Sequence, residues 1–72
     1  MSKKNILSEI DYVDLADNIT LRFFRLKDSR GKYLDNEPTV VKINGNVLCY
    51  IAWKDFELFK KELKAVINKY RI

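Results

Sequence analysis

The chain has 72 residues with one cysteine, no histidine, two glycines and one proline, and its 14 basic residues against 10 acidic ones give a net charge of +4. Without histidine there is no His-based triad and no His-ligated metal, and a single cysteine excludes an intrachain disulfide and a CxxC zinc site. A 47% hydrophobic content suits one folded domain over residues 1–72, and such a short chain buries only about 60% of the surface that its unfolded form exposes.

The N-terminal stretch 3–16 is ambiguous between helix and strand. Ile6, Ile10 and Val13 have helical spacing, whereas Tyr12-Val13-Asp14-Leu15 alternates. The alternation favours a strand over 10–16, after a frayed or short helical start within 1–9, and Asp17-Asn18 then turns the chain. A second strand starts at Ile19, with Ile19, Leu21 and Phe23 alternating with Thr20, Arg22 and Phe24. Arg25 and Leu26 fit the alternation less cleanly, which predicts a bulge or the sheet rim there. Asp28-Ser29-Arg30-Gly31 carries turn chemistry, and Tyr33-Leu34 can resume pairing before the polar stretch 35–38. Pro38 has no N–H to donate, so it belongs at a strand's first residue or on an edge.

Asn44-Gly45-Asn46 is a two-residue hairpin turn signal. A regular hairpin around it places Val41 and Ile43 on one face with Leu48 and Tyr50, and Val40 and Lys42 on the other with Val47, Cys49 and Ile51. Cys49 reads as a small core hydrophobe. From Trp53 the apolar positions Trp53, Phe56, Phe59, Leu63, Val66, Ile67 and Tyr70 fall within an arc of about 140°, the face of a helix that covers a sheet. Glu57 and Lys61 form a favourable i, i+4 pair on its outer side. The expected fold is α+β: an antiparallel sheet of three to four strands packed by one C-terminal helix, in the order ββββα.

No phosphate-binding glycine loop is present. Asp11, Asp14 and Asp17 read as a solvated acidic face, and the serines have no base nearby, so neither catalysis nor a metal or other cofactor is expected. With no apolar run near ~20 residues and no signal core behind Lys3-Lys4, a reduced, cytoplasmic chain that does not enter the membrane is expected.

The binding signal lies in residues 19–34, where Arg22, Arg25, Lys27, Arg30 and Lys32 face the single acid Asp28. If Leu21 and Phe23 pack under the helix, Arg22 and Phe24 stand on the open face, a cation beside an aromatic platform that suits single-stranded nucleic acid. Arg22, Arg25, Lys27, Arg30 and Lys32 would then meet phosphate while Phe24 and Tyr33 stack on bases, with Lys42 or Lys54 as auxiliary contacts. The bland alternative makes Phe24 part of a dimer core. Self-association is expected in any case, because a domain this small lacks the usual staples. Leu58, Ala65 and Ile72 lie opposite the core stripe and offer a helix–helix dimer seam, or are scattered surface hydrophobes. A second class of function is a protein-interaction module, a small inhibitor or adaptor of the kind phages encode, binding a host protein through the sheet edge or the Leu58 face.

Over Ile19 to Leu63 the pattern resembles the positive cofactor four family of transcriptional coactivators. The most similar piece is Cys49-Tyr50-Ile51-Ala52-Trp53-Lys54-Asp55-Phe56-Glu57-Leu58-Phe59, like that family's last strand running into its helix. Arg22, Phe24, Arg25 and Lys27, with the turn Ser29-Arg30-Gly31-Lys32, are similar to its basic DNA-contacting strand and turn. The resemblance implies a ββββα chain that dimerises largely through its helix and binds single-stranded DNA along its sheets with basic and aromatic residues. Ala52 and Trp53 depart from the capping residue and proline with which that family's helices open, since Ala52 has no side-chain acceptor for a free N–H.

Overall fold

A computed structural model describes residues 5–70. It contains β1 (Ile6–Ala16), β2 (Ile19–Lys27), β3 (Thr39–Ile43) and β4 (Asn46–Ile51), followed by a 3-10 turn over Trp53–Asp55 and a helix, α1 (Phe56–Tyr70). The strands form one antiparallel meander in the order β1-β2-β3-β4, and the fold is α+β, ββββα.

The turns follow from local chemistry. Asn18 adopts φ 64° between β1 and β2, and Asn44 and Gly45 adopt φ 50° and 82° between β3 and β4. Two successive positive φ values make the second hairpin turn of the type whose twist matches its strands. After β2, Asp28 Oδ1 accepts hydrogen bonds from the N–H groups of Arg30 (2.8 Å) and Lys32 (3.0 Å), so the carboxylate shapes the loop. Tyr33 then bridges back to Lys27, and Leu34 N–H donates to the Leu26 carbonyl at 3.0 Å. Pro38 stands immediately before β3, where its missing N–H breaks no ladder.

Bulges at three places change which residues share a face. In β1 the pairing jumps from Glu9↔Phe24 to Asp11↔Phe23 and from Asp14↔Thr20 to Ala16↔Ile19, leaving Ile10 and Leu15 as extra residues. Each bulge shifts the alternation by one position, so Ile10 and Val13, three apart as on a helix face, both lean toward the core within a strand, as Leu15 also does, while Ile6 is 58% exposed. This corrects the N-terminal expectation: the strand runs from Ile6, with no helical start among the described residues. Residues 1–4 of the expected frayed segment lie outside the described residues.

In β4 the pairing jumps from Lys42↔Val47 to Val41↔Cys49, with Leu48 extra. The regular-hairpin expectation is corrected accordingly. Val41 shares its face with Cys49 and Ile51, while Tyr50 moves to the other face beside Val40. β2, by contrast, alternates without interruption through Arg25, with Leu21, Phe23 and Arg25 all buried. Of the two expected alternatives there, a bulge or the sheet rim, the rim holds: pairing with β3 ends at Phe24, and Arg25 and Leu26 lie beyond it.

Val13, Leu21, Phe23, Val41 and Phe56 form the core, with Ile10, Leu15, Ile43, Cys49, Ile51, Phe59, Leu63 and Ile67 half-buried around it. Phe23 is 0% exposed and meets the rings of Phe56 and Phe59 edge-on, at 5.0 and 6.0 Å between centroids. The buried helical stripe is narrower than the sequence pattern. Phe56, Phe59, Leu63 and Ile67 pack on the sheet, whereas Val66 and Tyr70 are 53% and 72% exposed.

One ion pair ties the helix to the sheet. Lys60 Nζ donates to Asp11 Oδ2 at 2.7 Å and lies 3.8 Å from Glu57, the partner Glu57 takes one residue earlier than its expected Lys61. The Lys60 hydrogen bond holds the Asp11 carboxyl below its usual range, against the opposing effect of burial, and the same bond raises the Lys60 pKa. Asp11 therefore adds stability above its unfolded value near ~3.9, and that contribution disappears as pH falls through its lower folded value. The Lys60 contribution is present at neutral pH and is lost only as pH rises through its raised value. Comparing melting temperatures of the wild type and Asp11→Asn is expected to show a difference worth no more than about 1 kcal/mol at pH 5–7, since water reaches both groups. The difference should shrink as pH falls below 3.8 through the lowered folded value of Asp11.

Candidate nucleic-acid interface

The meander has two faces, and α1 covers one. The cross-strand pairs Tyr12↔Arg22, Glu9↔Phe24, Arg22↔Lys42, Phe24↔Val40 and Val40↔Tyr50 place these residues together on the other, uncovered face. Val40 is 8% exposed and forms its apolar floor between Phe24 and Tyr50. Tyr12 and Tyr50 are 55% and 62% exposed, and Phe24 is half-buried. Three rings thus come from three strands, each about 5 Å or 10 Å across the sheet from the next strand carrying one.

Two cations stand among the rings. Lys42 Nζ lies 4.9 Å from the Phe24 ring centre, and the Arg22 guanidinium lies 5.8 Å from that of Tyr12. Arg22 Nη1 also donates to Glu9 Oε2 at 2.9 Å. That bridge is exposed at both ends, and an exposed pair is worth only about 0–1 kcal/mol, so a phosphate can compete for the guanidinium. On the β1 side Asp14 Oδ1 accepts from the Thr20 hydroxyl at 2.9 Å.

The structure divides the seven residues expected from the sequence. Arg22 and Phe24 share the open face. Arg30 and Lys32 are exposed in the loop after β2. Arg25, Lys27 and Tyr33 lie on the helix side at the end of the sheet, which removes them from the expected surface. Arg25 is 5% exposed because uninterrupted alternation puts it in line with Leu21 and Phe23. Its guanidinium sits 3.9 Å from the Trp53 ring centre and 4.8 Å from that of Tyr33, and Lys27 Nζ caps the same Tyr33 ring at 5.1 Å. Trp53 in turn stacks on Phe56 at 5.3 Å. Arg25 is therefore a buried cation sandwiched between aromatic rings, with Leu34 O at 3.5 Å and Asp35 Oδ1 at 3.4 Å. It fastens the 33–35 segment and the start of the helix to the sheet. Ala52 provides no side-chain cap there, and the 3-10 turn closes instead through Asp55 N–H donating to the Ala52 carbonyl at 2.9 Å.

Tyr12 and Tyr50 were not among the expected contacts. Tyr12 stands opposite Val13, as simple alternation places it, whereas Tyr50 reaches the open face only through the bulge at Leu48, which alternation does not reveal. Lys42, weighed as auxiliary, stands at the centre of the face. Leu58 and Ala65 are exposed on the side of α1 away from the sheet, and Ile72 lies outside the described residues. Asp11 and Asp14 point to opposite faces of β1, so the acidic triplet does not converge, and no grouping of three potential metal ligands exists among the described residues. A cleft of about 530 Å³ between β1 and α1 is lined by Asp11, Tyr12, Val13, Asp14, Lys64, Ile67 and Asn68. No helix among the described residues is long and apolar enough to cross a membrane.

Comparison of the chain with protein-family models, with curated proteins and with solved structures finds no significant match.

Proposed function

We propose that the protein is a non-enzymatic binding protein for single-stranded nucleic acid, and that the uncovered sheet face is its binding surface. The observation that supports this most is the gathering of Tyr12, Phe24 and Tyr50 from three strands onto one face, with Arg22 and Lys42 between them. Bases present flat apolar surfaces that stack on such rings whatever their sequence, and each stack contributes ~1–3 kcal/mol. The cations then meet the phosphates that run between stacked bases. Arg30 and Lys32 extend the positive path past the end of β2. A four-stranded sheet with aromatic residues on its open face is a recurrent solution for unpaired strands. The resemblance to the positive cofactor four family argues for DNA as the ligand.

Fluorescence anisotropy with a labelled ~20-mer single strand tests the proposal. Four cations reaching phosphate would give a slope of about −3 in log K against log salt. Binding to the single strand should exceed binding to the corresponding duplex, whose bases are already stacked. No binding at low salt, or binding insensitive to salt, overturns the reading and favours the protein-interaction alternative.

A further inference from the structure

The sheet ends on two edges of unlike chemistry. β1 carries Glu9, Asp11 and Asp14, charges that deter pairing with another strand. β4 reads Asn46-Val47-Leu48-Cys49-Tyr50-Ile51, with no charged residue and no proline. It is nevertheless an edge, so among the described residues one row of its backbone groups has no partner strand in the sheet order β1-β2-β3-β4. Val47, Leu48 and Tyr50 along it are 50%, 57% and 62% exposed.

The Lys60–Asp11 bond shows which flank of α1 leans toward β1. At 100° per residue Val66 lies on the opposite flank, about 80° from Phe56 and outside the buried stripe, and it is 53% exposed. The apolar boundary of the sheet is thus the uncharged β4 edge with its exposed Val47, Leu48 and Tyr50.

We propose that this boundary pairs with a second copy of the chain, β4 against β4 in antiparallel fashion, to give one continuous eight-stranded sheet. Charge selects the partner. β4 meets its own copy without like charges, whereas β1 against β1 would oppose Glu9, Asp11 and Asp14 with their copies. A two-fold axis perpendicular to the sheet satisfies the free backbone row of both copies at once. It also puts both helices on one side and both open faces on the other, with Tyr50 of each copy near the seam. This seam differs from the outer helix face at Leu58 and Ala65, and it does not depend on the nucleic-acid reading.

Size-exclusion chromatography with light scattering, without nucleic acid, tests it at micromolar concentration. The wild type is expected at twice its 8.6 kDa chain mass. Leu48→Lys should return the monomer mass with an unchanged circular dichroism spectrum, while Leu58→Glu should remain dimeric. Hydrogen exchange gives a second readout on the unmodified chain, because the β4 amides that do not bond to β3 should be protected and lose protection on dilution. A monomeric wild type, unprotected outward amides, or a dimer dissolved by Leu58→Glu but not by Leu48→Lys overturns the proposal.

Discussion

Replacing Phe23 with alanine is expected to unfold the domain. Phe23 has no exposed surface, and its ring holds Phe56 and Phe59 of α1 against the centre of the sheet. Truncating a buried phenylalanine typically costs 3–5 kcal/mol, through lost transfer energy and the cavity left behind. A 72-residue domain has about 4–11 kcal/mol in total. The variant should therefore show either no cooperative thermal transition or a melting temperature lowered by at least ~12 °C. A shift below ~5 °C would mean that α1 is held by something other than this aromatic cluster.

The next residue along the chain is expected to behave in the opposite way. Phe24 faces away from α1, so Phe24→Ala should leave the fold intact and weaken binding to single-stranded nucleic acid. Combined with Tyr50→Ala, the loss of two stacking platforms at ~1–3 kcal/mol each predicts at least a ~30-fold rise in Kd. Most of the loss should persist at high salt, where phosphate contacts are screened but stacking is not. Leu58→Glu, on the far side of the helix, serves as the control and should bind nearly as the wild type does. A double variant that folds and binds normally would remove the open face from the site.

The contrast between Phe23 and Phe24 rests on strand alternation, which is readable directly from residues 19–24. The helix, the Asn44-Gly45 turn and the ββββα order are equally local, because each depends on periodicity or turn chemistry over a few residues. The bulges at Ile10, Leu15 and Leu48 are different. A bulge is decided by how two strands fit the twist and the core between them, and its sequence trace is only a broken alternation. That is why Tyr50 did not emerge from the pattern, whereas Tyr12 alternates with Val13 and it is the pairing of β1 with β2 that sets it beside Arg22. Arg25 is a third case. Strict alternation already places it with Leu21 and Phe23, but its positive charge suggests exposure. Its burial depends on Tyr33 and Trp53 arriving from separate parts of the chain to sandwich the guanidinium. A basic residue in a basic segment thus became a structural clamp, and the positive surface contracted to Arg22, Lys42 and the loop.

The arrangement also locates the positive surplus of residues 46–72, six basic residues against three acidic ones. Lys60 is committed to Asp11, while Lys61, Lys64 and Lys69 are exposed on α1, on the other side of the sheet from the three rings. The fold separates this surplus from the cations Arg22 and Lys42 that stand among the three rings of the open sheet face.

The most direct measurement of the central claim is a backbone and side-chain NMR titration of the protein with an unlabelled single strand. The account predicts shifts concentrated at Tyr12, Arg22, Phe24, Lys42 and Tyr50, smaller ones at Arg30 and Lys32, and none at Leu58 or Ala65. Shifts confined to α1 or to the Arg25–Trp53 cluster, or no shifts at all, would contradict it.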